Sequence, residues 1–256
     1  MMSNRWVSPE EWPALKGFLR RYSLLVAYGF AWGLMARGRR RRNAVSLLEQ
    51  ELLNHAVPLA FVAWTSGEQR RSPSWFGFSF SNPRRILLHS AIGAALGAAF
   101  VLGPAGKRML GPRDEWERRI AGLSPVEASV LFGLTGLTEE TIWRGWTFSE
   151  IERVFAGRSR RARAAAAIGI STFLFSSMHL SNLVEWPRRR VIPELQQMAA
   201  AAALGMIGGY WRQATGSIIP GMVMHDVGNM LRWWTTKARL LQEEAAAGAG
   251  KPAAGA

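Results

Sequence analysis

Glu139 and Glu140 stand side by side in an apolar run that begins near Val126, and Arg144 follows one turn later. Charged side chains in so apolar a stretch are costly to place in a bilayer or a dry core, which points to function before packing. Residues four apart on a helix share a face, so Glu140 and Arg144 are placed to form an intrahelical ion pair. Glu139 lies about 100° round the helix from Glu140 and is left for chemistry. Two later apolar runs carry one polar cluster each. His179 ends the first, with Phe175 one turn before it and placed to pack beneath. His225 and Asn229, four apart in the second, can aim at one point. A carboxylate among apolar helices is a competent base near neutral pH. Donors fixed on a helix face need little reorganisation when negative charge develops.

Each cluster also has a plainer reading. A Glu and Arg at a helix end are commonly a solvated face, and a lone histidine in an apolar run is commonly a satisfied core residue. Their coincidence shifts the balance, because three separate runs each carry one such cluster and together use two of the four histidines. His55 and His89 lack comparable context and read as structural.

These three clusters, in this order and spacing, resemble the motifs of the CPBP family, the CAAX-type intramembrane endopeptidases also called the ABI family. Gly145 after the arginine fits, as does the lead-in from Gly205 to Pro220; Trp143 stands where the family usually has Phe. The resemblance covers residues 124 to 234, whereas residues 1 to 120 match only in being hydrophobic spans of a kind this family carries. It implies that Glu139 and His179 activate a water for attack on a peptide carbonyl. His225 and Asn229 would stabilise the oxyanion, with Glu140 and Arg144 supporting them from behind. Glu139, His179 and His225 are also a zinc-protease ligand set, although the close pair of a His-Glu-x-x-His motif is missing. A metal-free glutamate mechanism is the preferred reading, with no cofactor, and zinc is the alternative.

Something must carry these clusters to one place, and composition says what. The chain has 32 basic and 18 acidic residues, a net charge of +14, and is 48% hydrophobic. Such charge suits nucleic acid or anionic lipid headgroups. The arginines fall in bursts between apolar runs, at 37 to 42, 84–85, 118–119, 158 to 163 and 188 to 190, which is the pattern of membrane loops. A nucleic-acid module spreads them along one face. Without cysteine there are no disulfides to read.

The apolar runs predict an all-α, polytopic transmembrane bundle of about seven spans (six to eight): 21–36, 47–65, 86–103, a helix from Pro125 to about Phe155, 164–180, 192–211 and 217–234. The second half of the fourth span reads as amphipathic and emerging into water near Arg158. Residues 66 to 85 read as a loop whose Trp75-Phe76-Gly77-Phe78 is an interfacial aromatic patch, and residues 104 to 124 as a loop with Gly-Pro turns holding a short helix. The organisation is then 1–120, N-terminal spans and loops; 121–236, catalytic membrane core; and 237–256, a tail disordered from about Ala245. Lys and Arg number 15 on one side of these spans and 17 on the other, so charge does not orient them.

The expected function is an integral, multi-pass endopeptidase, in the plasma membrane if bacterial. Its partners are a membrane protein or peptide substrate and membrane lipid, and not nucleic acid. By the resemblance, prenylated C-termini, bacteriocin-like peptides and sorting anchors are all candidate substrates. A non-catalytic scaffold or immunity protein of the same fold is the alternative, and a channel or transporter a third.

Overall fold

The computed structural model describes residues 7–41, 47–103, 115–180 and 191–249, and among them every regular element is helical. Helices α1 (Trp12–Arg41), α2 (Leu47–Glu68) and α3 (Pro83–Leu102) form the N-terminal part, with a single 3₁₀ turn at Pro73–Phe76. After a short α4 (Glu115–Ala121) comes one continuous rod from Pro125 to Val154. It consists of α5 (Pro125–Glu140), a π-helical segment (Thr141–Thr147) and α6 (Phe148–Val154). Helices α7 (Arg160–Met178), α8 (Val191–Thr215) and α9 (Ile219–Ala249) complete the bundle.

Local chemistry sets the starts of these helices. Ser124 caps α5, accepting from Glu127 N at 3.2 Å while the Glu127 carboxylate accepts from Ser124 N at 2.8 Å, with Pro125 at the first position. Asn82 and Ser159 cap α3 and α7 with a side-chain oxygen alone, accepting from Arg85 N and Ala162 N. Helix α3 lies along α9 through glycine. A Cβ at Gly93 would come 2.7 Å from the Pro220 carbonyl oxygen, and one at Gly97 would strike the Met224 backbone. Small residues thus let two backbones meet.

Several expectations change on contact with the structure. The loop patch Trp75–Phe78 is a plug rather than an interfacial anchor: Phe76 is buried, and its carbonyl oxygen packs where a Cβ on Gly145 would lie, 2.8 Å away. Gly77 turns the chain there with φ of 83°, and its carbonyl accepts from Ile218 N at 3.0 Å. The rod's second half is enclosed rather than half-wet, because α1 and α7 cover it and Glu150 is wholly buried. Helix α9 continues to Ala249, past the expected onset of disorder. The Gly-Pro turns at 103–104 and 111–112, apart from Gly103, the arginines at 188 to 190 and residues 250–256 lie outside the described residues.

Among the described residues only α3 is long and apolar enough to cross a bilayer by length and composition. The other helices interrupt their apolar runs with polar groups, several of which build the interior: Glu51, Asn54 and His55 on α2, and His225, Asp226 and Arg232 on α9. The all-helical expectation holds, whereas hydropathy alone does not carry a count of seven.

Candidate active site

The rod dictates the geometry at its centre. Glu139 and Glu140 close α5, and all residues from Glu140 to Ile151 are buried. Glu139 keeps 28% of its side chain accessible and Glu140 only 2%, as their angular offset requires. The first lines a cavity of about 370 Å³, and the second is sealed behind it. Glu140 Oε1 lies 3.0 Å from Arg144 Nη1, so the predicted pair forms although the chain turns π-helical at Thr141. Such π segments widen a helix by a residue per turn and recur at functional sites.

Arg144 is held from three directions. Its guanidinium lies 4.2 Å above the Phe175 ring. On α8, a Cβ at Gly205 or at Gly208 would approach it to 3.2 Å. On α9, Gly221 leaves room that the Glu140 carboxylate fills. These glycines sit in the stretch that leads up to His225, and here their task is visible: they admit a buried ion pair between helices.

The cavity brings together Glu139 from α5, His179 from the end of α7, and His225 and Asn229 from α9. Phe175 packs beneath His179 with ring centroids 5.5 Å apart, as expected, and beside His225 at 6.5 Å. Glu139 is less isolated than its spacing suggested. Its Oε2 is 3.5 Å from His225 Nε2, while His225 Nδ1 is 3.7 Å from Glu140 Oε1, so His225 bridges the two carboxylates. His179 takes a hydrogen bond at Nδ1 from Gln197 Nε2 of α8 at 3.2 Å. Among the described residues no three His, Asp or Glu groups converge closely enough to hold a metal ion.

Residues 122–231 match the family model for type II CAAX prenyl endopeptidases of the Rce1-like kind. They belong to the CPBP family. No curated protein and no solved structure matches the chain. This family is one of membrane-embedded CAAX-type proteases. The CPBP segment runs from the approach to α5 through most of the first half of α9, so it contains all six candidate site residues.

Helices α1, α2 and α3 fall outside the CPBP segment, yet the first two wall its cavity. Sequence reasoning set His55 aside; the structure puts it in the same cavity as Glu139. Its only advance signal was a run of polar residues, Glu51, Asn54 and His55, at helical spacing in an apolar stretch. Gln197 was likewise signalled by no more than a polar pair in α8. Asp226, next to His225, turns the other way and sits against Gly136, where any Cβ would collide with its carboxylate.

Proposed function

We propose that this chain is a multi-pass membrane endopeptidase that hydrolyses a peptide bond in a membrane-associated protein or peptide. The observation that carries the reading is the convergence of Glu139, His179, His225 and Asn229, from three helices, on one cavity. The membrane setting is supported by large apolar side chains turned outward around the bundle, among them Leu24 and Phe30 of α1, Leu87 and Leu88 of α3, Phe173 of α7 and Tyr210 of α8. We read α1, α2, α3, the rod, α7, α8 and α9 as seven spans.

In this mechanism Glu139, assisted by His179, takes a proton from water, and the hydroxide oxygen attacks the peptide carbonyl carbon. The carbonyl π electrons move to oxygen, where His225 and Asn229 donate hydrogen bonds. Collapse re-forms the carbonyl and expels the amine, which leaves with the proton that Glu139 had taken. Glu140 and Arg144 hold His225 and the end of α5 in register. Glu139 Oε2 makes no hydrogen bond among the described residues, as suits a proton acceptor.

The glutamate form is preferred to zinc because the close ligand pair of a His-Glu-x-x-His motif is missing from the sequence. Chelation of purified protein should leave cleavage intact. Abolition by chelator with recovery on adding zinc would replace the glutamate mechanism.

The deciding experiment compares peptide termini by mass spectrometry, in membranes and medium from cells carrying wild-type protein or Glu139→Gln at equal levels. Termini that vanish in the variant identify substrate and bond, and sort prenylated C-termini from bacteriocin-like peptides and sorting anchors. Unchanged termini, with the variant still rescuing a deletion phenotype, would establish a binding or immunity role instead.

A further inference from the structure

His55 is buried to 6% exposure on α2, outside the CPBP segment, yet it lines the same cavity as Glu139 and His225. Its Nε2 lies 3.1 Å from the Thr135 hydroxyl, and that hydroxyl lies 2.9 Å from the Leu131 carbonyl oxygen. A hydroxyl has one proton and a carbonyl only accepts. Both contacts are hydrogen bonds in one arrangement alone: Thr135 donates to Leu131, and His55 Nε2–H donates to Thr135. In the neutral ring this leaves Nδ1 as a lone-pair acceptor. Nδ1 has no partner among the described residues, nor is it among the polar atoms sealed from solvent. Thr135 is one turn before Glu139 on α5, so the base and the tether of His55 share a helix face.

We propose that His55 is a substrate-positioning residue, its tautomer set by Thr135, whose Nδ1 accepts a hydrogen bond from a backbone N–H of the peptide lying against Glu139. The proposal rests on the protease reading above. It assigns part of substrate recognition to the N-terminal half of the chain. Apolar side chains of α1 and α5, Leu25 and Phe132 among them, line the cavity as well, so an extended peptide would set its polar backbone along α2 and its side chains against the apolar wall.

Two amides separate positioning from packing. His55→Gln can keep a donor to Thr135 but places no acceptor at Nδ1, while His55→Asn keeps an acceptor there and loses the Thr135 bond. With a synthetic peptide spanning the bond identified by the terminal comparison, His55→Gln should raise KM about three- to tenfold at nearly unchanged kcat, the loss of one neutral hydrogen bond. His55→Asn should stay nearer to wild type in KM. Wild-type kinetics in His55→Gln would overturn the proposal, for a purely structural histidine predicts that result.

A second measurement does not need turnover. In protein labelled with ¹⁵N-histidine and held in nanodiscs, the four histidines are assigned by substitution. His55 should show the Nε2–H tautomer, and its Nδ1 signal should shift when the peptide is added to the Glu139→Gln protein. An Nδ1–H tautomer, or an Nδ1 signal blind to bound peptide, overturns the proposal even where His55 variants fail to fold. Should Glu139→Gln retain full cleavage, the protease assignment fails on its own account, and the tautomer still decides whether His55 presents an acceptor.

Discussion

Two acidic clusters lie along the rod from Pro125 to Val154, and they are built to different ends. At its centre Glu140 pairs with Arg144 of the same rod, both only 2% exposed, in space cleared by glycines of α8 and α9. Near its C-terminal end Glu150 is equally buried but draws one cation from elsewhere, Arg21 of α1 at 2.9 Å, besides its own Arg153 at 2.7 Å. The inner ion pair is made within one rod, and its only contact of charge with another helix is His225 of α9, 3.7 Å from Glu140 Oε1 among the described residues. What it does is fix the carboxylate behind His225. The outer cluster is a link, fastening α1 to α6.

The comparison is broken most severely by Glu139→Gln, which should cut cleavage about 10²–10⁴-fold while leaving thermal stability near wild type. Turnover of the purified variant on an identified substrate checks this. Arg144→Ala comes next. It leaves Glu140 buried without its cation and should cost about 3–5 kcal/mol, read as a lowered unfolding midpoint in detergent together with lost activity. Loss of activity with full stability would mean that the inner pair belongs to the chemistry alone. Gly221→Ala should act on the same pair more gently, by about 1–3 kcal/mol of overpacking, because its methyl group enters the space held by the Glu140 carboxylate.

The outer cluster predicts smaller effects. Glu150→Gln should cost about 1–2 kcal/mol, since Arg21 and Arg153 reach water when the carboxylate is lost. Protease access to α1 should rise while kcat stays within twofold. The smallest effect lies just beyond, where Arg158 hydrogen-bonds Glu11 at 2.8 Å and the Ser8 amide adds a bond at 2.7 Å, lowering the Glu11 carboxyl to about 2. Its folded value is depressed from 4.5, so its contribution is fully present above that pH and is lost as pH falls through about 2. Proteolysis of the N-terminal segment across this window should show the loss in wild type and a flatter profile in Glu11→Gln.

Much of the site was legible because short-range rules were enough. A helix repeat places Glu140 on Arg144 and Glu139 away from both, and it places His225 with Asn229. Costly charges in apolar runs marked the candidate residues. The place of His55 in the cavity was not legible. His55 has no near-sequence partner that resembles a site, because its hydroxyl neighbour is 80 residues away. The burial of Glu150 was hidden for the same reason: Arg21 is 129 residues from it, and an acidic residue at the polar end of a helix reads as solvated.

By itself, then, the sequence determined the all-helical class, the family of residues 122–231 and the six candidate side chains carried on α5, the π segment, α7 and α9, matters of composition and of spacing within one turn or a few. Tertiary structure alone decided that His225 stands between the two carboxylates and that α2 supplies a third histidine. Those outcomes depend on how closely backbones approach through glycine and on which distant helix arrives at each face. No periodicity along the chain encodes either.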